Sequence, residues 1–71
     1  MKEITFNLQG EYIELLQLLK AVNIAQTGGH AKMIVSEGEV VRNGEVEMRK
    51  RAKIKVNETL IVGGEVCIKV V

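Results

Sequence analysis

The chain has 71 residues, 46% of them hydrophobic and 27% charged, with a formal net charge of +1. A chain this short is expected to form one domain that buries only about 60% of the surface its unfolded form exposes, which excludes a deep enclosed pocket. Its one cysteine, Cys67, excludes an internal disulfide, suits a reducing cytoplasm, and reads as a small buried hydrophobe in a mostly apolar run.

Ile4, Phe6 and Leu8 alternate with Thr5 and Asn7, which predicts a first strand with one buried face, ended by Gly10. No continuous apolar stretch surrounds it, so neither a signal peptide nor a membrane span is expected. Over residues 11–22, Tyr12, Leu15, Leu16, Leu19 and Val22 recur at three- and four-residue spacing and predict one stripe of a helix. A second helix is expected over residues 27–38. Thr27 would cap its first turn, Ala31, Ile34 and Val35 would face inward, and Gly38 suits the left-handed conformation beyond its end.

Residues 40–42 and 45–47 flank Asn43-Gly44, the dipeptide best able to supply positive φ at both central positions of a two-residue hairpin. Residues 59–62 and 65–71 predict a second hairpin around Gly63-Gly64, with Val66, Ile68 and Val70 on one face. The expected class is α+β, with two helices packed on one face of a small, mostly antiparallel sheet.

Charge is unevenly spread. Between residues 42 and 55, Arg42, Arg49, Lys50, Arg51, Lys53 and Lys55 face only Glu45 and Glu47, a local excess of four positive charges, while the rest of the chain is net negative. Arg49, Lys50, Arg51 and Lys53 follow a hairpin that would position them, so they can meet successive phosphates of a nucleic acid backbone; a solvated charged turn is the plainer alternative. Thr27, Gly28 and Gly29 leave helix amides open for a phosphate, or make an ordinary cap. Lys32, one turn on, either extends that site or faces solvent. His30 is an exposed polar residue able to stack on or bond a nucleotide.

No catalysis is expected. The chain has no aspartate and one serine, so no Ser-His-Asp triad can be built, and Glu37, Glu39, Glu45 and Glu47 read as exposed carboxylates with unseparated pKa values. His30 and Cys67 cannot supply a zinc set. Phe6 and Tyr12 are both assigned to the core, so stacking platforms are sparse, which disfavours sequence-reading of single strands and favours recognition of nucleic acid shape and backbone.

In order, Leu18-Leu19-Lys20, Gly28-Gly29-His30-Ala31-Lys32, Gly38, Val40-Val41-Arg42-Asn43-Gly44 and Arg49-Lys50-Arg51-Ala52-Lys53-Ile54 make a set that resembles the RNA-binding domain named after ribosomal small-subunit protein S-four. Small stand-alone bacterial proteins of the YbcJ type are its best counterpart. The resemblance implies the αL RNA-binding motif and, as partner, structured RNA, ribosomal or transfer. Gly28 and Glu14 depart from the family by replacing two of its cations, and Arg42 stands where a hairpin valine is usual, so it is expected to face solvent beside the turn. Thr27, Gly29, His30, Lys32, Arg42, Arg49, Lys50, Arg51 and Lys53 are the candidate RNA contacts, with no cofactor. The rival reading is a protein-interaction module that pairs through an edge strand at residues 66–71 and uses the basic segment for solubility.

Overall fold

The computed structural model describes residues 1–71. Seven strands, β1 (Lys2–Phe6), β2 (Ile13–Glu14), β3 (Val40–Arg42), β4 (Glu45–Val46), β5 (Lys53–Ile54), β6 (Thr59–Val62) and β7 (Val66–Val70), accompany two helices, α1 (Leu15–Ala21) and α2 (Gly28–Ser36). β1-β7-β6-β3-β4 form one sheet, and β2-β5 form a separate two-stranded ribbon. All pairings are antiparallel except β1 with β7. The architecture is the expected α+β one.

Both hairpins form where the glycines predict. Asn43 and Gly44 take φ of 50° and 89°, and Gly63 and Gly64 take 61° and 67°, the left-handed values such tight reversals need. α2 begins as its sequence requires, with the Thr27 hydroxyl accepting from the His30 amide at 3.1 Å. Ala31, Ile34 and Val35 of α2 pack with Leu15, Leu18 and Leu19 of α1 against Val40, Leu60, Val62, Ile68 and Val70 of the sheet.

Three expectations fail at the first helix. It starts at Leu15 rather than residue 11, because Ile13 and Glu14 are taken into pairing with Ile54 and Lys53, and Glu14 is extended with φ −70° and ψ 146°. Tyr12, carried out of the helical stripe by that pairing, is 42% exposed and is not a core residue. Leu18, outside the predicted stripe, is fully buried. Further corrections concern β7. It is an interior strand between β1 and β6, so it offers no free edge to a partner. Cys67 alternates with the buried Ile68 and is only half-buried, on the other face of the sheet.

Candidate nucleic-acid interface

The segment joining the first hairpin to β6 carries most of the cations, and the β2-β5 ribbon anchors it. Leu15 donates its amide to the Ala52 carbonyl at 2.9 Å, and Ala52 and Ile54 are buried, so Arg51, Lys53 and Lys55 alternate outward. Arg42, Arg49, Arg51, Ala52, Lys53 and Lys55 line an open groove of about 510 Å³ whose only apolar wall is Ala52.

Arg42 does not face solvent as expected. Its side chain is 18% exposed, and the guanidinium donates to both Glu58 carboxylate oxygens, to Glu47 at 3.1 Å and to the Lys53 carbonyl at 2.8 Å. Glu58 in turn accepts from the Lys55 amide at 2.7 Å and from the Asn43 side-chain amide at 3.2 Å. One arginine therefore ties the hairpin to the basic segment on both sides of Lys53. Most of its donors are spent on the protein, so it shapes the groove.

Glu47 also departs from expectation, being 8% exposed. It accepts from the Arg49 guanidinium at 3.0 and 3.2 Å and from the Arg49 amide at 3.1 Å, as well as from Arg42. Arg49, and secondarily Arg42, hold its pKa down from 4.5 to about 2 against the opposing effect of burial. Arg42 lowers that of Glu58 by the same means. Because the folded-state value lies below the unfolded one, Glu47 contributes stability that is complete above pH 4.5 and is lost as pH falls toward 2. Glu47→Gln should thus be less stable than wild type near neutrality, with the gap closing between about pH 5 and pH 2. Urea midpoints measured across that range check this, and a gap independent of pH would refute it.

Arg51 donates to Glu14 at 3.3 and 3.4 Å, so this glutamate restrains a groove arginine. Even so, the side chains of Arg49 and Arg51 remain 75% and 80% exposed. Lys50, Lys53 and Lys55 are exposed and have no carboxylate partner. The groove thus combines cations held in place by carboxylates with cations left free, and its net charge stays positive.

Of the candidates, Arg42, Arg49, Arg51 and Lys53 meet around this groove, and Lys50 lies between two of them in the chain. Thr27, Gly29, His30 and Lys32 sit apart at the start of α2, outside the groove; Thr27, Gly29, His30 and Lys32 are all exposed. Sequence reasoning missed Glu47 and Glu58 as positioning groups. The available signal was Arg42 itself: a cation in a strand whose neighbours are valines requires a counter-ion.

A model of the S4 domain matches residues 6–71. YbcJ of Escherichia coli strain K12 is 39% identical over 61 residues, covering 84% of this chain and 87% of its own. RlbA of Bacillus subtilis strain 168, named a probable ribosome maturation protein, is 36% identical over 58 residues, covering 82% of each chain. The solution structure of E. coli YbcJ, described as revealing an αL motif involved in RNA binding, superposes with a TM-score of 0.68 at 37% identity, covering 92% of this chain and 85% of that one.

Proposed function

The chain belongs to the S4 domain family, and on that premise we propose that it is a non-catalytic RNA-binding protein of the cytoplasm whose basic groove contacts the phosphates of structured RNA. The observation that carries this reading is the groove itself, five of whose six lining residues are cationic and which leaves Lys53 and Lys55 without carboxylate partners. Arg49 and Arg51, held at one end by Glu47 and Glu14, present largely exposed guanidinium groups at fixed spacing, an arrangement suited to phosphate oxygens. Thr27, Gly29, His30 and Lys32 would add a second, separate contact at the start of α2, where the amides of Gly28 and Gly29 and the helix dipole favour an anion.

Ribosomal RNA is the partner class we favour over transfer RNA. The support is the relative in B. subtilis named for ribosome maturation. With β7 inside the sheet, the rival protein-pairing reading lacks the edge strand on which it rested.

The test reverses charges that support nothing else in the fold. Lys50→Glu with Lys55→Glu should leave the melting temperature unchanged and lower affinity for structured ribosomal RNA fragments by roughly a hundredfold at low salt. Fluorescence anisotropy on both proteins reads this. A folded variant that binds as tightly as wild type would refute the groove as the contact surface.

A further inference from the structure

The tyrosine expected in the core stands instead on the outer face of the ribbon. Side chains alternate along a strand, so Tyr12 and Glu14 leave on the face opposite Ile13, and the β2-β5 register brings Lys53 and Lys55 to that same outer face. The Lys53 ammonium lies over the Tyr12 ring, 5.0 Å from its centroid. Gly10, Glu11, Tyr12, Lys53, Lys55 and Val56 line a groove of about 560 Å³, and Lys53 and Lys55 are also walls of the basic groove. The two grooves therefore adjoin across a pair of lysines.

Resting on the RNA reading above, we propose that this second groove is a subsite for one unpaired nucleobase, stacked on Tyr12 while its flanking phosphates lie against Lys53 and Lys55. The lining distinguishes a base from a further phosphate. Glu11 repels a phosphate here but accepts a hydrogen bond from a base amino group, and Val56, 45% exposed, adds apolar surface next to the ring. Lys53 covers one face of the ring by a cation–π contact and ties it to the phosphate-binding side, and the base stacks on the opposite face. Bases inside an RNA helix are stacked on one another and cannot use such a platform. The site therefore selects a bulged or looped nucleotide beside a helix whose backbone occupies the basic groove.

The chain has one tyrosine and no tryptophan, so its intrinsic fluorescence reports from this groove alone. The experiment titrates the full chain with three short RNA duplexes: fully paired, carrying one bulged adenosine, and carrying an abasic residue at the bulge. The bulged duplex should quench Tyr12 emission and bind roughly tenfold tighter than the paired one, and the abasic duplex should lose both effects. Tyr12→Ala should erase that tenfold preference without changing affinity for the paired duplex, while Tyr12→Phe keeps it. Equal affinities for all three with unchanged emission, or quenching that persists with the abasic duplex, would overturn the subsite. Salt-sensitive binding in that case leaves the basic-groove reading standing, whereas failure of all three RNAs to bind overturns both.

Discussion

Arg42→Met should lower the stability of the domain by about 3 kcal/mol, the largest single effect expected from any charged residue in the chain. The guanidinium bridges Glu47 and Glu58, whose side chains are 10% and 14% exposed, and its removal leaves Glu58 without its main partner and Glu47 with Arg49 alone. A domain of this size has a total stability on the order of 4 to 10 kcal/mol, so the change consumes a large part of it. At roughly 4 to 8 °C per kcal/mol for a small domain, the melting temperature should drop by more than about 10 °C. Arg42→Lys should recover little, because one ammonium cannot reach two carboxylates and the Lys53 carbonyl in the geometry of the guanidinium fork. Thermal melts followed by circular dichroism decide the matter. An Arg42→Met protein that melts within a degree or two of wild type would show that the network contributes nothing net.

RNA affinity should fall on the order of a hundredfold between roughly 50 and 200 mM salt, provided that about four phosphates are neutralised. That number matches the cations on the groove whose charge reaches solvent, Arg49, Arg51, Lys53 and Lys55, with Arg42 enclosed by its carboxylates. The slope of log affinity against log salt offers a sharper measure than affinity itself. Neutralising Lys55 by substitution with glutamine should reduce it by about one, and substituting Arg42 by lysine should leave it nearly unchanged in protein that remains folded. Anisotropy titrations at four or five salt concentrations yield both slopes. Binding independent of salt would remove phosphate contact as the mechanism, and an equal loss of slope for Arg42 and Lys55 would mean that the carboxylates do not enclose Arg42 in the complex.

Much of the scaffold is legible in local sequence. The Asn43-Gly44 and Gly63-Gly64 reversals, the Thr27 cap and the inward face of α2 at Ala31, Ile34 and Val35 all form as read, because each depends on residues within a turn or two of one another. The position of the basic segment after the first hairpin is legible for the same reason, as is the family through its ordered motifs.

The start of the first helix was not legible. Tyr12, Leu15, Leu16 and Leu19 fit a helical stripe well, yet Ile13 pairs with Ile54, about forty residues away, and an extended segment replaces the first helical turn. The role of Arg42 was hidden likewise, since Glu58 lies sixteen residues beyond it and comes near only when β3 pairs with β6. Short-range sequence codes the local parts: the turns, the cap, the apolar face of α2 and the placement of positive charge in one stretch. Long-range packing sets which cations are bound up and which are free, shields β7, and stands Tyr12 beside Lys53 on the surface. Those outcomes depend on strand pairings between segments far apart in the chain, and no periodicity within either segment encodes its partner.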